Sequence, residues 1–384
     1  MAFASVDKPS LHFEAKTYDG DTSAVTITGV GFQPDMVWYK ERTDAYAWGH
    51  YDSSRGVKRW FKMSSTQSEN NNAGASVIDA SLTAFTSDGF TVAVMSSDPI
   101  GNRNASAYYK SYMWKANGGT KTTNDASATG VGSIDSEYQA NTTAGFSIVE
   151  YTGTGTAGTI AHGLGVQPRW IFIRRRRNSD SSGGTSDGTS ITYMEDLKSD
   201  YETDYMTVTA TSSAADDNTR FNDTAPTSAV FSVGTDQNVN ASGSLYVAYV
   251  WCEKQGFSKI GHYVGNGQAN GLHVYCGFRP KMIICKQYDE NRGWVIQDSD
   301  SQAKNKSGST TGADAIGGNP VEQSLALDSG NAENTGAPDV DFYSNGFKFR
   351  SSDDMHNKAD EEYFYVAFAE TPLVGSNNIT SNAR

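Results

Sequence analysis

The stretch GFQPDMVWYK (residues 31–40) has two close counterparts later in the chain, GVQPRWIFIR (165–174) and GFRPKMIICK (277–286). Each begins with Gly-x-x-Pro, which is a turn signal, and continues into a short run of aliphatic and aromatic residues. An apolar run that follows a turn predicts a buried β-strand. The same strand pattern therefore occurs three times, which indicates that one structural unit is repeated along the chain.

The repeat extends on both sides of this strand. A Tyr-x-Gly turn begins at Tyr18, Tyr151 and Tyr263, 16 or 17 residues before the proline of each copy. A second strand candidate follows the decamer, and a tyrosine-rich strand closes each copy. Its alternating aromatic and β-branched residues place one row of side chains in a core and the other outward. The closing-strand tyrosines that we align are Tyr109, Tyr246 and Tyr365.

These repeats predict the fold class and the domain boundaries. A repeat of about 110–135 residues has the size of an independent domain. We expect an all-β protein of three tandem homologous antiparallel β-sandwich domains, jelly-roll-like, at residues 1–118, 145–255 and 256–384. Residues 119–144 are rich in Gly, Ser, Thr and Asn, which predicts a flexible or surface-draped linker. Helix is expected only as single turns.

Composition excludes several classes of function. The net charge of −13 argues against broad nucleic-acid binding, which needs a basic surface. No apolar run approaches the roughly 20 residues of a membrane span, so membrane insertion is not expected. The cysteines are Cys252, Cys276 and Cys285, an odd number without CxxC, which predicts neither a disulfide framework nor a zinc site. We therefore expect synthesis in a reducing compartment.

Candidate catalytic and metal-binding residues are few. His162 precedes a Gly-rich turn, and we interpret it as a turn-capping residue because the other copies carry no histidine there. Asp52, Asp196 and Asp298 recur after the second strand, and a turn or Asx cap explains them more simply than a glycosidase pair. Loose calcium binding at DSDS (298–301) or SSDD (351–354) stays open. We predict no catalytic residues, no cofactor and no metal site.

Two features are candidates for surface recognition. The run Arg174, Arg175, Arg176 and Arg177 is the only basic cluster, and it reads as the solvated end of a strand or as a phosphate or glycan patch. Trp60 lies outside the repeated pattern, in contrast to tryptophans on predicted core strands. We therefore assign Trp60 and the four arginines as possible surface contacts.

The sequence also resembles a known group of proteins. YTGTGTAGTIAHGLGVQPRWIFIRR (151–175) and YVAYVWCEKQGFSKIGHYVGNG (246–267) resemble domains of structural proteins of tailed bacteriophages, especially marine and cyanobacterial ones. The resemblance covers roughly 145–384 well and 14–116 more loosely. The first copy lacks the GFSKIG run and the third lacks the GLGV turn, so the copies need not have equal roles.

The resemblance implies a location in the virion and no chemistry. The expected function is that of a non-enzymatic tail or fibre component, exposed on the particle, that takes part in assembly and host-cell attachment. Expected partners are other virion proteins, further copies of the chain in a trimer or hexamer, and a host surface glycan or outer-membrane receptor. A capsid decoration or head-fibre protein is the first alternative. A glycan-degrading depolymerase that uses Asp196 or Asp298 is the second.

Overall fold

The computed structural model describes residues 4–57, 59–71, 81–95, 101–177, 188–195, 197, 200–301, 319–336 and 340–375. We divide the described chain into unit 1 (residues 9–114), unit 2 (122–251) and unit 3 (258–372). Unit 1 holds a 3₁₀ turn at Pro9–Leu11 and the strands β1 (Phe13–Asp19), β2 (Val25–Ile27), β3 (Met36–Glu41), β4 (Gly49–Asp52), β5 (Arg59–Lys62), β6 (Asn70–Asn71), β7 (Leu82–Thr86), β8 (Gly89–Val92) and β9 (Tyr108–Trp114).

Units 2 and 3 contain the remaining elements. Unit 2 holds β10 (Thr122–Asn124), α1 (Ala126–Thr129), β11 (Ser136–Asn141), β12 (Phe146–Thr152), β13 (Gly158–Ala161), β14 (Trp170–Arg177), β15 (Ser190–Met194), β16 (Asp204–Thr207), β17 (Ala215–Asp216), α2 (Asn218–Phe221), β18 (Val230–Val233), α3 (Gln237–Asn240) and β19 (Leu245–Trp251). Unit 3 holds β20 (Ser258–Val264), β21 (His273–Tyr275), β22 (Phe278–Gln287), β23 (Val295–Asp298), β24 (Leu325–Ala326), β25 (Val340–Tyr343), β26 (Gly346–Phe349) and β27 (Glu362–Pro372).

The described fold is all-β, and each unit pairs one large antiparallel sheet with one small one. The large sheets run β1-β9-β3-β4-β5-β6, β10-β11-β12-β19-β14-β15-β16-β17 and β20-β27-β22-β23-β24. The small sheets are β2-β8-β7, β13-β18 and β21-β26-β25. In all three large sheets the closing strand lies between the opening strand and the Gly-x-x-Pro strand. The repeated decamer therefore occupies the same sheet position three times.

Strand register corrects one alignment made from the sequence. Each opening-strand tyrosine stacks on a closing-strand tyrosine at about 5 Å between ring centroids. In unit 3 the partner of Tyr263 is Tyr363, not Tyr365. Tyr363 and Tyr365 point to the same face of β27, so the period-two pattern cannot distinguish them. Only pairing with β20 fixes the register. The stacked pairs are Tyr18–Tyr109, Tyr151–Tyr246 and Tyr263–Tyr363.

Each large sheet buries both of its faces. The outer face packs on the small sheet of its own unit, as Val37 and Met113 do against Phe90 in unit 1. The inner faces of all three large sheets meet in one central core. At its middle the Trp114 ring lies 6.3 Å from that of Trp251 and 5.7 Å from that of Phe368. The three units are thus not separately packed domains, because they share one hydrophobic interior.

The segment predicted as a linker is part of unit 2. Within residues 119–144, β10, α1 and β11 form, and β11 pairs with the free edge of β12. Ile134 is 4% exposed in the outer core of unit 2, and Tyr138 packs against the same core. The Gln139 amide donates to Ser53 Oγ at 2.9 Å, which ties the segment to unit 1. A polar composition suggested flexibility, but an edge strand needs only backbone partners and a few apolar contacts.

A buried asparagine holds the Tyr-x-Gly turn of every unit. Asn240 Oδ1 accepts from Thr154 N at 2.8 Å, and its Nδ2 donates to Thr156 O at 2.7 Å. The Tyr151 hydroxyl donates to the preceding carbonyl, Val239 O, at 2.6 Å. The equivalent asparagines in units 1 and 3 make the same bonds three and five residues after their tyrosine. The three residues, all fully buried, are Asn102, Asn240 and Asn357.

Candidate functional site

The structure does not support a surface role for Trp60. This side chain is 1% exposed in the outer core of unit 1, and its ring stacks on that of Tyr51 with 6.1 Å between the ring centroids. Trp60 lies on β5, which is part of the large sheet of unit 1, so it is a core residue like the other tryptophans. The sequence missed this strand because the second half of each copy is variable.

The first three arginines of the run are buried and do not form a solvated strand end. Arg174 is 0% exposed, and Arg175 and Arg176 are each 7% exposed. Arg174 reaches from unit 2 into unit 1, donating to Lys62 O at 2.9 Å and Gln67 O at 3.1 Å. Its guanidinium also stacks 4.4 Å over a phenylalanine ring of unit 1. Arg177 ends β14, and its side chain lies outside the described part of the structure.

The other two arginines bind within the same region. Arg176 pairs with Glu69 of unit 1 at 3.1 Å and with Glu150 of unit 2. Arg175 points to the opposite face of β14 and donates to Ser244 Oγ at 3.0 Å. Arg174 and Arg176 thus both extend into the junction between units 1 and 2, Arg176 from the register shift between Arg175 and Arg177. Two of the four arginines predicted as possible surface contacts therefore join two parts of the chain.

The recurrent aspartates also act at junctions between units. Asp298 of unit 3 accepts the Tyr112 hydroxyl at 2.7 Å and pairs with Lys110 Nζ at 2.6 Å, both from unit 1. Burial alone would raise the pKa of Asp298, but the Lys110 ammonium and hydrogen bonds from Lys110, Ser301 and Tyr112 lower it to about 2. This carboxylate is therefore ionised and 1% exposed. Donors from the chain itself already occupy its hydrogen-bonding positions.

Asp52 has the same role between units 1 and 2. It accepts the Tyr249 hydroxyl of unit 2 at 2.6 Å, and Arg55 Nε of its own unit at 2.5 Å. It is fully buried, so neither Asp52 nor Asp298 is open to a substrate. The third aspartate of this set, Asp196, lies outside the described residues. Both described aspartates also cap turns, as Asp298 does for Ser301 N at 2.8 Å, which agrees with the simpler interpretation.

The three units form a closed ring, and the side-chain hydrogen bonds described next run in one direction around it. Trp48 Nε1 of unit 1 donates to Ala326 O of unit 3 at 2.7 Å. Trp294 Nε1, at the equivalent position of unit 3, donates to Thr207 O of unit 2 at 3.0 Å. Unit 2 carries Thr192 at this position, and there Arg174 supplies the bond to unit 1. Unit 1 thus donates to unit 3, unit 3 to unit 2, and unit 2 to unit 1.

A buried ion pair strengthens the junction between units 1 and 3. Arg42 and Glu333 form a bidentate ion pair, with Nε to Oε1 at 2.7 Å and Nη2 to Oε2 at 2.9 Å. Both side chains are fully buried. Arg42 Nη2 also donates to Ser301 O at 2.8 Å. A planar guanidinium fits a carboxylate in this way, so the contact fixes the orientation of the two sheets as well as their separation.

His162 makes contacts that fit a turn-capping residue. Its Nδ1 accepts from Leu164 N at 3.2 Å, and its Nε2 lies 3.2 Å from Thr227 O. Burial lowers its pKa to about 4, so the ring is neutral near pH 7. In the described part of the chain, no group of three or more His, Cys, Asp or Glu is arranged to hold a metal ion. The helices described there are single turns, and none could cross a membrane.

Among the clefts on the described surface, two are well formed. One, of about 480 Å³, lies beside β10–β12 and is lined by Asp125, Asp135 and Glu137, with Glu150 already paired to Lys121 and Arg176. The other, of about 460 Å³, lies between the start of β20 and the end of β21, and Ala4, Gln255 and Gly256 from outside unit 3 also line it. Its lining includes Lys259, Tyr275, Cys276, Gly277, Leu373 and Val374. We call the second one the β20–β21 cleft.

The buried asparagines were the main residues that sequence reasoning missed. A signal for them exists, because each stands six or seven residues before the stacked tyrosine of the closing strand. The Gly-rich loops GTGTAG (153–158) and GNGQANG (265–271) are the turns that Asn240 and Asn357 hold. Their backbone groups are thus already engaged.

Comparison with known proteins adds one assignment. No curated protein and no solved structure matches the chain significantly. A family model described as a domain of unknown function, DUF7483, matches residues 8–372, which includes all three units. That one model spans the whole ring agrees with a shared interior. The chain therefore belongs to the DUF7483 family.

Proposed function

We propose that the chain is a non-enzymatic structural protein of a bacteriophage virion, exposed on the tail or a fibre and engaged in assembly and host attachment. The phage assignment rests on the resemblance of residues 151–175 and 246–267 to virion proteins. The structural role is supported by one observation. The charged residues that could have served catalysis or recognition, Asp52, Asp298 and Arg174, are buried and hold the three sheets together.

A ring closed within one chain suits a rigid particle component. Three homologous jelly-roll-like sandwiches, formed by triplication of one unit near 1–118, 145–255 and 256–384, account for the equal strand orders. The closed order of junctions reproduces within one polypeptide the geometry of a cyclic trimer. Further copies of the chain, other virion proteins and a host glycan or receptor are the partners we propose for its outer surface.

Immunogold labelling tests the location. Antibody raised against the recombinant chain is applied to phage particles from the source of this sequence, with a pre-immune serum as the control. We expect gold particles at the tail or fibres. Label on the head would assign the chain to capsid decoration. Absence of the chain from purified particles, by labelling and by mass spectrometry, would overturn the virion proposal.

A separate assay tests the absence of enzyme activity. The recombinant chain is incubated with host surface polysaccharide, and new reducing ends are measured against a known depolymerase. We expect none. Activity that an Asp196→Asn variant loses would show that the chain is a depolymerase, because Asp196 is the recurrent aspartate that the buried junctions do not explain.

A further inference from the structure

The junction between units 1 and 3 is the one that the backbone does not span. The chain passes from unit 1 directly into unit 2 and from unit 2 directly into unit 3. Lys110 of unit 1 and Asp298 of unit 3 meet at the third junction, 0% and 1% exposed. Their Nζ and Oδ1 atoms lie 2.6 Å apart. An amine and a carboxyl group are thus held in contact where a covalent link would close the ring.

This combination does not recur at the equivalent junction between units 1 and 2. Lys110 corresponds to Val247 of β19, because each stands one position after the stacked tyrosine of its closing strand. Asp52 therefore meets no amine from that position, and its charged partner is Arg55 of its own unit. A guanidinium stays protonated and is a poor nucleophile, whereas a lysine amine becomes nucleophilic once it loses a proton. Of these two aspartates, only Asp298 has such a partner.

Burial brings the neutral forms of the pair closer in free energy to the charged forms. The ammonium and the carboxylate have both lost the hydration that favours their charges. Lys110 Nζ also lies 5.6 Å from the centre of the Tyr112 ring, and no acceptor is well aligned with it for a hydrogen bond in spite of the short contact. Transfer of one proton across this contact is therefore less costly than it would be in water.

The remaining donors hold the carboxyl group in place for attack. Oδ2 of Asp298 accepts the hydroxyls of Tyr112 and Ser301, each at 2.7 Å. Oδ1 accepts Ser301 N at 2.8 Å and Asp300 N at 2.9 Å. Two hydroxyl donors on Oδ2 stabilise the negative charge that develops there when a nucleophile adds to Cγ. Fixed contact between reacting groups can equal an effective concentration of roughly 10⁵–10⁸ M, which favours amide formation over hydrolysis.

We propose that Lys110 and Asp298 condense after folding into an amide bond between their side chains. One proton passes from Nζ to Oδ1, and the resulting amine adds to Cγ while Oδ2 carries the charge. A second Nζ proton then passes to Oδ1, the Cγ–Oδ1 bond breaks, and Oδ1 leaves as water. Nζ keeps its third proton as the amide N–H, and Oδ2 becomes the amide oxygen. Ammonium and carboxylate thus give one amide and one water, with no other reactant.

The ion pair is the starting state of this step. In a chain that has not yet reacted, Asp298 is ionised and the pair stabilises the junction as described above. The amide makes the same junction permanent and closes the ring of three units covalently. The inference does not depend on the virion role.

Mass spectrometry of the denatured full chain tests the bond directly. We expect the intact mass to fall below that of the sequence by one water, in the freshly purified chain or after incubation at pH 7. Trypsin does not cleave at an acylated lysine. The digest should therefore contain a branched peptide that joins residues 104–115 to residues 293–304, with the link between Lys110 and Asp298.

Two variants separate this bond from other losses of water. Lys110→Arg keeps a cation beside Asp298 but provides no amine, so it should have the full sequence mass. Lys281→Arg is the matched control, because Lys281 pairs with Asp300 at 2.8 Å nearby, and it should still lose water. Water loss that persists in Lys110→Arg would indicate a cyclic imide and would overturn the proposal. A full mass and no branched peptide in the incubated wild-type chain would overturn it also, whether or not the variants fold.

Discussion

At the residue scale, charge has a different role from the one its sequence context suggests. The arginine run has the pattern of a solvated strand end, yet Arg174 and Arg176 lie between units 1 and 2. An arginine can enter a junction of this kind because its guanidinium carries several donors and can satisfy carbonyl or carboxylate groups from two directions. Removal of one partner of such a buried pair is costly because the other is left unpaired.

Lys110→Met tests this cost at the junction of units 1 and 3. The substitution leaves Asp298 buried and charged with only hydroxyl and backbone donors. We expect the free energy of unfolding, measured with urea at pH 7, to fall by about 3–5 kcal/mol. Lys8→Met, at an exposed lysine, is the control and should leave it nearly unchanged. A Lys110→Met variant as stable as this control would show that the pair does not hold the junction.

The same variant should change the pH dependence of stability. Because the pKa of Asp298 is lowered to about 2 in the folded chain, its ionised form stabilises the fold above its ordinary pKa near 4. This contribution is lost as the pH falls from about 4 to about 2. Without the Lys110 ammonium the folded-state pKa rises toward its ordinary value, so less stability should be lost as the pH falls from about 4 to about 2, and the difference in stability between variant and wild type should narrow there. Urea midpoints at pH 7, 4 and 3 would show it, and parallel profiles of variant and wild type would contradict it.

At the element scale, the Tyr-x-Gly turns depend on residues distant in sequence. Gly153 and Gly265 approach backbone so closely that a Cβ would lie 2.3 Å from Ala241 O or 2.1 Å from Lys358 O. Only glycine fits there. The buried asparagine then supplies the hydrogen bonds that the tight turn cannot make within itself. This dependence explains why the turn, the asparagine and the stacked tyrosines occur together in each copy.

Asn240→Ala tests the contribution of this contact. The substitution leaves Thr154 N and two carbonyl oxygens, of Thr156 and Gly234, without their partner. We expect a loss of about 3 kcal/mol in urea unfolding, since each unsatisfied buried group costs about 1–3 kcal/mol. Asn238→Ala, two residues earlier on α3, is the matched control. Equal stabilities of the two variants would show that water replaces the asparagine without cost.

At the scale of the whole molecule, the central core decides what can fold alone. Trp114, Trp251 and Phe368 come from three different units and contact one another or a common ring. A fragment cut at the sequence boundaries would expose the inner face of its large sheet to water. The repeat has the length of a domain, yet its inner face has no partner within the same repeat.

Isolated residues 256–384 should therefore not fold as a stable monomer. We expect aggregation or binding of a hydrophobic dye, because Ile284, Phe364 and Phe368 lose the residues that cover them. Co-expression with residues 1–255 is the control and should restore a soluble complex. A monomeric fragment that unfolds cooperatively at the midpoint of the full chain would contradict the shared core.

The sequence alone determined the all-β class, the threefold repeat and the equivalent place of each Gly-x-x-Pro strand. These follow from local patterns, namely turn signals, period-two alternation and apolar runs, which act over a few residues. The tertiary structure alone decided that the repeats share one interior, that residues 119–144 form an edge strand, and that Trp60 and Arg174–Arg176 are buried. The shared interior and the burial of Arg174 depend on contacts between residues more than a hundred positions apart, and no local pattern records which sheet a side chain will meet.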